Sequence, residues 1–160
     1  MQISPSRNGD YAARVYVGLS TVTRKGEVMT MEPQSALVLV VEDEVLIQDL
    51  LVDALQEGGF QTIIANDGAE AIAQIDGPLS GQLSGVVTDI RLGVGPDGWA
   101  VATRARELNS AVAIVYVSAD SSADWPAHGV PGSVMISKPF AAAQVVVALA
   151  NLANRSDFSG

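Results

Sequence analysis

From Ser35 onward, apolar and polar positions follow two alternating regimes. Short unbroken apolar runs occupy 37–41, 62–65, 85–88, 113–117 and 133–136. Runs of this length without polar interruption fit strands buried on both faces of a parallel sheet. The stretches between them change period. Val45, Leu46, Asp49, Leu50, Val52, Asp53, Ala54 and Leu55 have helical spacing, and Gly58-Gly59 closes that helix. Asp67 followed three residues later by Glu70 predicts an acidic capping box for a helix running to about Asp76. The Gly- and Ser-rich piece 77–84 is a loop, and Gly95-Pro96-Asp97-Gly98 is a turn ahead of a helix over 99–108. Residues 121–128 have room for only a short helix, because Pro126 and Gly129 both break it. Residues 140–153 are an Ala/Val/Leu-rich helix that serves chiefly as core, its outer edge a candidate dimer or kinase interface. The sum is five strand–helix units. That predicts an α/β fold, a doubly wound five-stranded parallel sheet with right-handed crossovers, and no internal repeat or second domain.

Residues 1–33 do not share this regularity. They hold four of the nine basic residues and no sustained period, although Arg14-Val15-Tyr16-Val17 alternates and could add a strand or dock on a partner. The division expected is therefore an N-terminal extension over 1–33, flexible as termini often are, a domain over 34–154 and a tail over 155–160. Met29 and Met31 are candidate translation starts.

Composition narrows the class further. With 160 residues, 48% hydrophobic and 17% charged, the chain can bury a substantial core. No apolar stretch approaches the roughly 20 residues that span a bilayer, and no signal-peptide pattern opens the chain. The expectation is a cytoplasmic protein with no membrane partner. There is no cysteine, hence no disulfide framework and no thiolate metal site. A net charge of −9 with scattered basic residues argues against direct nucleic-acid binding.

The candidate chemistry sits where the strands end. The first run leads into Glu42-Asp43, the third into Asp89, the fourth into Ser118 and the last into Lys138-Pro139. In an open parallel sheet, ligands bind beyond the carboxyl ends of the strands, so three carboxylates, a hydroxyl and an ammonium would converge on one crevice. Acidic residues after a strand also serve as solvated helix starts, and a lone lysine or serine there is commonly a surface or cap residue. The ordered set is what carries information. Clustered carboxylates raise one another's pKa, a conflict that a divalent cation with oxygen ligands such as Mg²⁺ (or Mn²⁺) relieves. Asp89 is then a candidate nucleophile toward phosphorus, and Lys138 a counter-charge for carboxylate and phosphoryl group in turn. Ser118 offers a hydroxyl to a phosphoryl oxygen, while the small Ala119 leaves the site open.

The segments VLVVEDE (38–44), VVTDIRLGVGPDGW (86–99), VYVSAD (115–120) and ISKPF (136–140) together resemble the receiver domain of two-component response regulators, in its stand-alone, single-domain form. The resemblance covers residues 35–154 and implies a flavodoxin-like (βα)5 fold with strand order 2-1-3-4-5. It implies Glu42 and Asp43 as the acid pocket, with Asp43, Asp89 and the Arg91 carbonyl as ligands of Mg²⁺. Asp89 becomes the phosphoacceptor, Ser118 the switch hydroxyl and Lys138 the family lysine, with a cis bond before Pro139. A sensor histidine kinase or histidine phosphotransfer protein would be the donor, a downstream protein the recipient of the signal, and a weak homodimer a further association. The chain would not be an enzyme beyond promoting its own phosphorylation and dephosphorylation.

Some positions depart from the family pattern. Many members carry an aromatic three residues before the lysine, and here that residue is Met135; Tyr116 lies on the neighbouring strand. Gly93 stands where proline is common, and the loop runs one residue longer before Gly98. Arg91 and Asp120, each two residues beyond a site residue, would overhang the site, and pairing between them would restrict the water that hydrolyses an acyl phosphate. Two other functions compete with this one. A phosphorylation-independent interaction module would fail to bind Mg²⁺ or beryllofluoride. An aspartyl phosphohydrolase would want a second aspartate where Arg91 stands.

Overall fold

The computed structural model describes residues 20–24, 27–31 and 35–158. Within the N-terminal extension, β1 (Ser20–Arg24) and β2 (Glu27–Met31) pair antiparallel, with Val22 opposite Met29. The sequence pattern did not single out this ribbon, and the alternating piece 14–17 lies outside the described residues.

The main sheet contains β3 (Leu37–Val41), β4 (Gln61–Ala65), β5 (Gly85–Asp89), β6 (Ala113–Ser118) and β7 (Val134–Ser137). All neighbours are parallel and the order is β4-β3-β5-β6-β7, which is 2-1-3-4-5 counted within the sheet. This is the flavodoxin-like doubly wound arrangement, and its switch point falls between β3 and β5.

The unbroken apolar runs are explained by two cores, one on each face. Side chains alternate along a strand. Leu39, Val41, Val86, Ile114 and Tyr116 therefore face one core with Val101, Ala102 and Ala105 of α3 (Gly98–Leu108) and Ala71 and Ile75 of α2 (Gly68–Asp76). Val38, Val40, Val87, Val115 and Val117 face the other with Leu51 and Leu55 of α1 (Val45–Glu57) and Val145 and Leu149 of α5 (Ala142–Phe158). Each of the Val, Leu and Ile side chains among them contributes about 1.5–3 kcal/mol of burial.

Three local readings are revised. Helix α1 has the predicted period but turns a different face inward: Val45, Leu46 and Leu50 are exposed, while Gln48, Leu51 and Leu55 are buried. At α2 the Asp67 carboxylate caps the Glu70 N–H at 2.7 Å, but the Glu70 carboxylate reaches one residue further back, to the N–H of Asn66 at 3.0 Å. Helix α5 begins at Ala142 and continues through the expected tail to Phe158, since no glycine or proline interrupts it and Arg155 suits the negative end of its dipole. Residues 121–128 are as short as their breakers require: one turn of 3-10 helix over Ser122–Asp124, then α4 (Trp125–His128). Among the described residues, no helix is long and apolar enough to cross a membrane.

Candidate functional site

Glu42 follows β3 and is fully buried, whereas Asp43 and Glu44 beside it are exposed. The Glu42 Oε1 accepts the Glu44 N–H at 3.2 Å. Its main chain is held from behind: the Gln48 side-chain amide donates to the Glu42 carbonyl at 2.5 Å and to Asn66 Oδ1 at 2.7 Å. Gln48 and Asn66 escaped the reading of the sequence, and the only available signal was a polar residue on the buried face of a helix.

Asp89 closes β5 and is 7% exposed. Its Oδ1 accepts the Arg91 N–H at 3.3 Å, and its Oδ2 accepts from Lys138 Nζ at 2.9 Å. The loop beyond it returns closely enough that a Cβ on Gly98 would collide with the Asp89 carbonyl, so glycine is required there by space. Lys138 also donates to Glu42 Oε2 at 3.3 Å and lies 4.0 Å from Glu44. Its N–H donates to the Ser118 carbonyl at 2.8 Å, and the bond to Pro139 is cis, as the resemblance implied. Ser118 is buried at the end of β6, where its Oγ accepts the Ser121 N–H at 3.3 Å.

The electrostatics follow from this packing. Burial, then the Asp89 charge, pushes the Glu42 carboxyl up to about 7, against the opposing Glu44 N–H and Lys138. Burial pulls the Lys138 ammonium down, but the hydrogen bond and charge of Asp89, then Glu42, outweigh it and leave its pKa raised.

Glu42, Asp43 and Glu44 place one carboxylate oxygen each within 4.8 Å of one another. Such a hard, anionic oxygen set fits Mg²⁺. Glu44 was not among the expected ligands. Asp89, which was, lies outside this trio and is engaged by Lys138. Arg91 and Asp120 pair at 3.0 Å, with 74% and 53% of their side chains exposed. Tyr116 and Met135 sit opposite each other in register, Tyr116 fully buried and Met135 half-buried against the same core. An apolar groove between β7 and α5, lined by Val134, Ile136, Val147 and Leu152, includes none of the strand-end groups.

The fold and these groups define a flavodoxin-like α/β domain with a carboxylate-and-lysine crevice at the strand ends. Residues 38–150 match the response regulator receiver domain family, and the chain belongs to that family. The chain is 32% identical over 120 residues to the transcriptional regulatory protein TcrA of Mycobacterium tuberculosis, covering 74% of this chain and 46% of that one. An uncharacterized transcriptional regulatory protein of Bacillus subtilis, YbdJ, is 28% identical over 116 residues, 72% of this chain and 49% of its own. The chain thus spans about half the length of these curated relatives. Among solved structures, the response regulator receiver protein from Sinorhizobium medicae superposes with a TM-score of 0.73 at 35% identity, covering 77% of this chain and 98% of that one.

Proposed function

We propose that this receiver domain accepts a phosphoryl group on Asp89 from a histidine kinase or histidine phosphotransfer protein and passes the signal on by altered protein–protein affinity. The observation that carries the reading is the Lys138 ammonium bridging Asp89 at 2.9 Å and Glu42 at 3.3 Å across the strand ends. That bridge orients Asp89, with a backbone N–H on its other oxygen. An Asp89 oxygen attacks phosphorus, the bond from phosphorus to the donor's nitrogen breaks, and the electron pair leaves with the donor. Lys138 then follows the charge from carboxylate to phosphoryl oxygen, and Ser118 turns its hydroxyl toward that oxygen. The Glu42–Asp43–Glu44 carboxylates would hold a divalent cation, which supplies charge neutralisation for the transferring group. A chain organised this way promotes its own phosphorylation and dephosphorylation without turning over a separate substrate.

The test is intact-mass analysis after acetyl phosphate and Mg²⁺. Wild type is expected to gain a labile adduct of about 80 Da, one phosphoryl group, and Asp89→Asn none. A wild type that neither gains mass nor binds Mg²⁺ overturns this reading in favour of a phosphorylation-independent interaction module.

A further inference from the structure

A line of polar groups runs from the surface to the underside of the acid pocket. The buried Gln48 of α1 donates its side-chain amide twice, to the Glu42 carbonyl at 2.5 Å and to Asn66 Oδ1 at 2.7 Å. Asn66 in turn donates its side-chain amide to Glu70 Oε2 at 3.2 Å, and its main-chain N–H to the same oxygen at 3.0 Å. A carbonyl and a carboxylate only accept, so the two ends of this line dictate how each amide between them points. Glu70 takes the Asn66 amide hydrogens, which turns Oδ1 toward Gln48. Gln48 must then present its own NH₂ group to both of its acceptors.

The outer end has a firm footing although Asn66 itself is exposed. Asp67 caps the Glu70 N–H at 2.7 Å, and Gly68 lies so close to the Pro96 carbonyl that a Cβ there would overlap it. The inner end acts on the main chain that carries the carboxylates. The Glu42 N–H donates to the Ala65 carbonyl at 3.2 Å and Gln48 holds the Glu42 carbonyl, so both peptide planes flanking the Glu42 Cα are pinned. The second of these planes also contains the Asp43 Cα. The side chains of Asp43 and Glu44 are exposed, so their direction is set by this main chain rather than by packing around them.

We infer that Gln48, aimed by Asn66 and Glu70, is a positioning residue that presets the Glu42–Asp43–Glu44 carboxylates for a divalent cation. This rests on the reading of that trio as a cation site. An apolar side chain on the buried face of α1 would pack without needing partners, whereas a glutamine there is tolerable only when its amide is satisfied. Partners that hold the groups around a metal typically change its affinity by about ten- to a hundredfold.

Mn²⁺ titration of the full chain tests this, with the free ion counted by its EPR signal and circular dichroism used to confirm that each variant is folded. Gln48→Met keeps an unbranched, helix-compatible side chain without the amide, and should weaken Mn²⁺ binding by roughly tenfold. Asn66→Ala leaves Gln48 its bond to Glu42 and should weaken binding less, by about threefold. The double variant should bind no worse than Gln48→Met, because Asn66 acts only through Gln48. Gln56→Met, the same change near the other end of α1, should bind as wild type. In the metal-free protein, Asn66→Ala should move the NMR resonance of the Asp43 amide, and should move it far less in a Gln48→Met background. Wild-type affinity in folded Gln48→Met, or an equal loss in Gln56→Met, overturns the inference. Additive losses in the double variant overturn the part played by Asn66. A wild type that binds no Mn²⁺ overturns the cation reading and the preset with it. An Asp43 amide unmoved by Asn66→Ala overturns the relay whether or not the ion binds.

Discussion

Replacing Glu42 by Gln should stabilise the metal-free domain, and only above acid pH. A carboxyl raised from the ordinary 4.5 to about 7 holds its proton more tightly in the folded chain than in the unfolded one. Both states are protonated below about pH 4, so burial costs little there. As pH climbs from 4.5 toward 7 the unfolded chain ionises first, and folding stability falls. At about 1.4 kcal/mol for each pH unit, the full loss would be about 3 kcal/mol; water reaching the crevice past exposed Asp43 and Glu44 brings the expectation to ~2 kcal/mol. Gln fills the same volume, accepts the same Glu44 N–H through its carbonyl oxygen, and does not titrate. The assay is urea denaturation of wild type and Glu42→Gln in chelator at pH 4, 6 and 8, where titrations common to both proteins cancel in the difference. The variant should gain about 2 kcal/mol on wild type between pH 4 and 8. Excess Mg²⁺, by favouring the ionised carboxylate, should erase that gain in wild type's favour. A stability difference independent of pH would refute the reasoning.

Lys138→Ala leaves Glu42 and Asp89 facing each other without their shared counter-charge, and should cost about 3 kcal/mol at pH 8 by urea denaturation, with partial recovery in Mg²⁺. Gly98→Ala forces a methyl group into the Asp89 carbonyl and should lower stability by about 1–3 kcal/mol, visible as a reduced melting temperature. Neutralising Arg91 and Asp120 together should quicken loss of the phosphoryl adduct, by no more than roughly fivefold because the pair is solvent-exposed; an unchanged decay rate by intact mass removes the pair's protective role.

The parts of this molecule that were legible in its sequence are those governed by a single local period. The runs of β3, β5, β6 and β7 are apolar in their middles, those of β3, β5 and β6 because both faces are covered, and the residue that ends or follows each emerges at the carboxyl end of the sheet whatever the helices do. That is why Glu42, Asp89, Ser118 and Lys138 could be brought together on paper. The face of α1 was not legible in this way. Its outward Val45, Leu46 and Leu50 and inward Gln48 invert the usual sorting, since Gln48 is held inside by two polar partners that lie elsewhere in the chain. The Tyr116 hydroxyl was hidden for a similar reason: its partner is a main-chain N–H fourteen residues on, which composition cannot reveal. Glu44 carried no signal of its own in the sequence, and only the turn of the backbone after β3 brings it beside Glu42 and Asp43.

The brevity of β7 also bears on how the domain behaves in a crowded solution. It is the last strand of the sheet, and among the described residues no strand pairs with its outer side, the kind of edge onto which another molecule's strand can add. That row is four residues long. It is preceded by a turn in which Gly132 has φ of 72° and followed within two residues by Pro139, which has no N–H to offer. An incoming strand would find only a couple of hydrogen bonds before the template ran out. The arrangement that delivers Lys138 to the crevice therefore also guards this border of the sheet against stacking into aggregates.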